Sequence, residues 1–319
     1  MSEKIFKNLD EQIEILRSKG LVIKDEEFAK RKLLSENYFF ISGYRHLLME
    51  NYKNRQFVKG ATFEELYAIF MFDRSLRNIL FKNILIIENN VKSIISYQLS
   101  KQYGYKESDY LNERNFTQDP LKVRQVRDVL SKVKRQVRVN SQKHSATIHY
   151  VSNYGYIPMW VLVKVLSFGL TSELFSILKD EDKKVINDCY KLTTDQVSSY
   201  LSILANYRNL CAHEDILYDY RTQKVIPDDE IHKKIKVPEY EGEYLYGKND
   251  LFAILIIFKH MLEDMQFQEL FREIYFEIQY LDGVVESVPL EKILNKIGLP
   301  SNWKELGPIL PKRKCHEKN

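Results

Sequence analysis

Apolar residues recur along this chain at intervals of three and four far more often than at two, the spacing that lines one face of an α-helix. Little interrupts the pattern, because 11 glycines and 8 prolines in 319 residues leave long stretches without a helix breaker. The chain is therefore expected to be mainly α. Near the start, Asp10 is expected to cap a helix running to Lys19 with Gly20 just beyond it, and Asp25 a second helix over 26–36. Together they predict an N-terminal helical hairpin, followed by the aromatic segment "NYFFISGYRHLL".

The pattern is strongest from Thr62 onward. Thr62 and Glu65 have the spacing of a capping box, and Leu66, Ile69, Phe70, Leu80, Ile84, Ile87, Val91 and Ile94 form an apolar stripe that predicts one long helix to about Gln102. Pro120, a favoured first helical residue, opens another with Val123, Val126, Leu130, Val133 and Val137 on one face. After the turn-rich "SNYGYIP", helices are predicted at about 159–178 and 182–190. The next is capped by Thr193 or Thr194 and carries Val197, Leu201, Leu204 and Arg208. Residues 222–248 are polar, contain Pro227 and Pro238, and read as a connecting segment with room for a short strand or hairpin. A final helical region is predicted over about 250–281, and the charged tail "PKRKCHEKN" is expected to be loose. Three regions follow: a hairpin region at 1–60, a helical domain at 61–221, and a connecting segment with a C-terminal helical region at 222–319.

Composition narrows the setting. A hydrophobic content of 44% is enough for a substantial core. The three cysteines, Cys189, Cys211 and Cys315, are odd in number and too far apart for a disulfide framework or a paired-cysteine metal clip, which fits a reducing, cytoplasmic compartment. The N-terminal residues scatter charges where a signal peptide needs an apolar run. "LFAILIIF" at 251–258 falls well short of the roughly 20 residues a membrane span requires, so no membrane partner is expected.

The formal charge of +4 says little by itself, but the charge is unevenly placed. Between 122 and 143 stand Lys122, Arg124, Arg127, Lys132, Lys134, Arg135, Arg138 and Lys143, against the single acid Asp128. Charge runs are usually just solvated faces. Seven net positives on one helix whose valines face inward nevertheless match the footprint of a phosphate-backbone binder, and RNA is the expected partner here. His144 and His149 lie five apart with no third ligand near them in sequence, so no metal site is expected.

The stretch "YRNLCAHEDILYDY" at 207–220 holds the candidate chemistry. An arginine and a histidine with four to six residues between them mean little alone, since chance gives about one match in a chain of this composition. A second match, Arg138 with His144, has no apolar helix leading through it. Arg208 and His213 do: "YLSILANYRNLCAH" carries an apolar helical face up to the polar residues. Asn209 and His213, four apart, share a side of that helix, whereas Arg208 and His213 diverge by about 140°. Two such motifs facing each other across a dimer, or across two helical halves, would bring the groups together. Histidine would then act as general acid or base on the 2′-hydroxyl and the leaving 5′-oxygen, and arginine would hold the phosphate. That scheme needs no metal and no cofactor.

These segments, taken in order, resemble the Abi-like (AbiD/AbiF) abortive-infection family of the HEPN superfamily. The resemblance rests on "LDEQIEILRSKGLVIKDEEFAKRKLLSENYFFISGY", "FEELYAIFMFDRSLRNILFKNILIIENNVKSIISYQLSKQYG", "MWVLVKVLSFGLTSELFSIL" and "LANYRNLCAH", and it covers about residues 9–220. It implies a HEPN-type helical bundle, a role in phage defence, and RNA as target or partner. Arg208, Asn209 and His213 correspond to the family's Arg-Asn…His signature, while Asp73, Arg74 and Arg77 fall on its "FD…LR" segment without an assignable role. The chain departs from the family after the histidine, where Glu214 and Asp215 replace a basic segment; beside a phosphate site they would repel RNA or orient His213. The expected function is a metal-independent endoribonuclease toxin, restrained by a protein antitoxin or a small non-coding RNA. The alternative is a non-catalytic HEPN protein that holds such an RNA in a ribonucleoprotein.

Overall fold

The computed structural model describes residues 5–50 and 55–308, and within them the chain is mainly helical, as the periodicity requires. The charged tail and Cys315 lie outside the described residues. The centre is α4 (Phe63–Tyr103), 41 residues long and therefore about 60 Å from end to end. Its first turn is closed by the expected capping box: Thr62 Oγ1 accepts from Glu65 N at 3.2 Å and Glu65 Oε2 accepts from Thr62 N at 2.8 Å. No glycine or proline occurs within it, and it stops at Gly104, whose φ of +103° suits glycine and where a Cβ would meet Asp109 at 3.0–3.3 Å. Ile94, placed on the buried stripe by periodicity, is only partly buried, and Ile95 faces the core in its stead.

The N-terminal hairpin consists of α1 (Leu9–Ser18) and α2 (Glu26–Glu36), continued by the single-turn α3 (Tyr38–Ser42) and a 3-10 turn over Gly43–Leu48. Asp25 caps α2 by accepting from Phe28 N at 2.8 Å. Asp10 does not cap α1. Asn8 does, in a reciprocal box with Glu11, and Asp10 sits inside the first turn in an ion pair with Lys30. Both residues are competent caps; the structure takes the earlier one because Glu11 then stands at the third position to close the box.

Beyond α4 come α5 (Glu107–Tyr110), a 3-10 turn at Pro120–Lys122, and α6 (Val123–Asn140), which buries Val126, Val129, Leu130 and Val133 against the rest while Val123 is exposed. Residues 145–154 form α7 (Ser145–Tyr154), a helix not anticipated from the polar, turn-rich sequence. The helix predicted over 159–178 is split into α8 (Met159–Leu162) and α9 (Phe168–Ile177). The break has a physical reason: Ser167 caps α9 through Leu170 N, and the freed Leu166 carbonyl accepts from buried Lys92 Nζ at 2.6 Å.

Next are α10 (Asp180–Tyr190) and α11 (Thr194–Ala212), the latter capped by Thr193 in a box with Gln196. The connecting segment holds α12 (Glu230–Ile235) and a two-residue hairpin, β1 (Glu239–Tyr240) with β2 (Glu243–Tyr244). The last helical region divides into α13 (Leu251–Met261), α14 (Asp264–Asp282) and α15 (Leu290–Ile297). The apolar run of α13 is fully buried, a core helix, and no helix among the described residues is long and apolar enough to cross a membrane.

Helices α8, α10, α11 and α14 pack around α4, and α9 packs on α11 with α6 outside it. The N-terminal and C-terminal regions meet at the start of α4, where Glu65 Oε1 accepts from Glu286 N and Ser287 N at 2.7 and 2.8 Å. Burial works against the ionised Glu65 carboxyl, and these N–H groups with that of Thr62 overcome it and hold its pKa below the usual range.

Candidate active site

Helix α11 delivers its motif at its C-terminal end. His213 is the C-cap residue and its N–H still bonds Asn209 O at 3.0 Å. Glu214 then turns left-handed (φ +55°), with Glu214 N donating to Cys211 O and Asp215 N to Leu210 O. This paired closure usually places glycine or asparagine where Glu214 stands. A non-glycine residue there costs roughly 1 kcal/mol, so something must hold the turn.

A buried network does so. Asp73 Oδ2 accepts from Tyr44 Oη at 2.7 Å, from Leu217 N at 3.2 Å and from Arg77, while Arg77 Nη1 also donates to Tyr44 Oη and to the Asp215 carbonyl at 3.0 and 3.3 Å. The "FD…LR" segment thus bolts the loop after His213 to the middle of α4. Burial raises the Asp73 pKa against the pull of Arg77 and these hydrogen bonds, and it drives the Tyr44 phenol far up, so Tyr44 acts as a donor. Gly43 lets this loop approach closely, since a Cβ there would stand 2.8 Å from Ile216 Cδ1.

The exposed His213 lines a cavity of about 910 Å³ formed by α3, the 3-10 turn, α4 and the 212–216 loop. Arg45, Arg74 and Arg77 line it too. Arg74 lies 4.7 Å over the Phe70 ring, donates two bonds to Glu36 (2.8 and 3.2 Å), and reaches Glu214 at 3.6 Å. The bonds from Arg74 keep the Glu36 carboxyl below its ordinary range. Glu214 and Asp215, which sequence set beside His213, are on the same lining.

Arg208 is not on that lining. Its guanidinium lies 5.7 Å over Phe81, with Nε 3.7 Å from Oε2 of buried Glu88. Glu88 in turn accepts from Lys92 at 2.6 Å through Oε1, whereas neither Glu88 Oε2 nor Arg208 Nε makes a hydrogen bond. Asn209 is exposed and is not on the cavity lining. Within one copy of the chain, His213 shares its cavity with Arg74 and Arg77, whereas Arg208 packs further along α4, on Phe81 and Glu88. Cys211 is buried just inside the motif, and burial pushes its thiol up to about 12.

The basic residues of α6 form a second region. Arg127, Lys134 and Arg138 line a groove of about 1100 Å³ together with Arg114 from the preceding loop. Arg127 faces Glu113 at 3.5 Å, and Lys132 is tied to Asp128 and Glu173 at 2.8 and 2.9 Å. Lys122, Arg124, Lys134, Arg135, Arg138 and Lys143 have no ion pair among the described residues. His144 is half-buried, its Nδ1 without a hydrogen bond, and His149 is exposed. No group of three metal-binding side chains occurs among the described residues.

Three contributors escaped sequence reasoning. Arg45 and the Phe39–Phe40 pair sit in an aromatic segment with no motif, more than 160 residues before His213, and Glu88 had as its only signal a charge pair, Glu88 with Lys92, inside an otherwise apolar helix.

Residues 31–219, more than half the chain, match the Abi-like protein family, and the chain belongs to it. Membership suggests a role in abortive infection, the defence of a bacterium against phage. No curated protein and no solved structure matches the chain.

Proposed function

We propose that this protein is a HEPN-type endoribonuclease acting in abortive infection, with His213, Asn209 and Arg208 as its motif. The observation that carries the reading is the exposed imidazole of His213 at a helix end, held at the wall of a cavity that also presents arginines. In the reaction, His213 takes the proton of a ribose 2′-hydroxyl as its oxygen attacks the adjacent phosphorus. The bond to the 5′-oxygen breaks, that oxygen receives a proton from a second histidine, and the products are a 2′,3′-cyclic phosphate and a free 5′-hydroxyl. Arginine stabilises the charge that builds on the phosphoryl oxygens. The scheme asks for no metal or other cofactor.

Because Arg208 lies outside the cavity that His213 lines, the full set is completed by a second copy whose motif faces the first, and a homodimer is part of the proposal. The six cations on and beside α6 that have no ion pair among the described residues support RNA as the partner, either the target or a small restraining RNA. A second reading keeps RNA binding and drops cleavage, and Glu214 and Asp215 beside His213 favour it. The discriminating experiment incubates the protein with single-stranded RNA in excess chelator and characterises the ends. Cyclic-phosphate ends with wild type and none with His213→Ala support the nuclease. Intact RNA bound equally by both proteins supports the binder.

A further inference from the structure

We propose that Phe39 and Phe40 form a base-stacking subsite beside His213, which takes one unpaired nucleotide of a single-stranded RNA. The inference rests on the ribonuclease reading and adds to it the residues that seat the substrate. Phe39 is 76% exposed and Phe40 55%, and both rings line the cavity that His213 lines. Two adjacent phenylalanines in water forgo the burial that such side chains ordinarily gain. They are not there for want of order. Asn37, left-handed at φ +69°, ends α2 and caps α3 by accepting from Phe39 N at 2.9 Å. Ile41 and Tyr44 then anchor the turn in the core, Tyr44 through Asp73. The backbone that presents the pair is thus tied to the same buried network that fixes the loop after His213.

The rings stand 5.9 Å apart at 67°, so a flat group stacked on one face meets the edge of the other. Charge around them selects the ligand. Arg74 is engaged by Glu36 and Glu214, and Arg77 by Asp73, which leaves Arg45 as a lining cation with no ion pair among the described residues. Asp215 opposes it as an acid, also without an ion pair among the described residues. That balance disfavours a bare phosphate cluster and suits a ligand that brings a planar apolar face together with one phosphate, which is a nucleotide. Base stacking on aromatic side chains tolerates any base but requires it unpaired.

The test uses the full chain carrying His213→Ala, so that the probe stays intact, and a short single-stranded RNA containing 2-aminopurine. Binding should quench the fluorescence. Adding Phe39→Ala with Phe40→Ala should abolish the quenching and weaken binding about tenfold or more, as loss of a stacked base does. Phe39→Trp with Phe40→Trp should restore both. Both rings are exposed, so the alanine variant should keep the parental melting temperature. Unchanged quenching and affinity in the alanine variant would overturn the subsite, as would a loss of self-association by light scattering with RNA affinity intact, which would make the pair a contact between copies. Cleavage by the protein with His213 restored separates the two claims. If it cuts RNA while the alanine pair changes nothing, only the subsite fails. If RNA is neither bound nor cut, the ribonuclease reading falls and the subsite with it.

Discussion

The His213 cavity and the α6 groove are both rich in cations, yet they are built on opposite principles. On α6 the charges stand on one exposed helix face, spaced by local sequence, and most have no ion pair among the described residues. At His213 the groups come from segments more than 170 residues apart and are fixed by tertiary contacts in which every arginine except Arg45 is engaged by a carboxylate. The groove resembles a surface that attracts a polyanion at long range, whereas the cavity holds particular atoms in particular places. Density of positive charge and fixation of charge thus mark two different regions of the molecule.

The sharpest way to break the contrast is to remove the fixation. Asp73→Ala would leave the Arg77 guanidinium buried without its carboxylate, and unpaired buried charges cost about 3–5 kcal/mol. A loss of that size in chemical denaturation is expected, with RNA cleavage lost as the 214–217 loop comes free. Any single neutralisation of an exposed α6 cation should leave stability within about 0.5 kcal/mol.

Neutralising α6 should act on binding alone. Lys134→Ala, Arg135→Ala and Arg138→Ala together are expected to lower the slope of log affinity against log salt by about 2, given roughly 0.7 per phosphate contact on a single strand. The melting temperature should not move. An unchanged slope would mean that these cations are merely solvated.

The smallest effect concerns the left-handed turn. Glu214→Gly relieves the backbone at φ +55° and is expected to stabilise the protein by up to about 1 kcal/mol, measured by thermal unfolding. It also removes an acid from the cavity, so RNA affinity should rise. A loss of stability would show that the Arg74–Glu214 contact outweighs the backbone strain.

The parts of this molecule governed by local rules were legible in its sequence. The Thr62 cap, the α11 cap narrowed to Thr193 or Thr194, the long α4 and the α6 face all follow from spacings within a few residues. What depends on distant partners was not. The break between α8 and α9 answers to Lys92, more than 70 residues away, and α7 forms in a stretch whose composition reads as turn. The Arg208–His213 motif could be placed at the end of a helix, but its neighbours could not. Arg45, Phe39 and Phe40 reach His213 through tertiary packing, and Glu88 reaches Arg208 across two helices. Asp73 and Arg77 were singled out without a role, and only their burial against the 215–217 backbone supplies one.

The central claim is a division of labour between the two regions, and steady-state cleavage of a single-stranded RNA by two variants tests it most directly. His213→Ala is expected to lose kcat by a factor of about 100 or more, as removal of a general acid–base group does, with KM retained. The triple α6 variant should raise KM and keep kcat. A His213→Ala protein that turns over at the wild-type rate, or an α6 variant that loses kcat at saturating RNA, would contradict it.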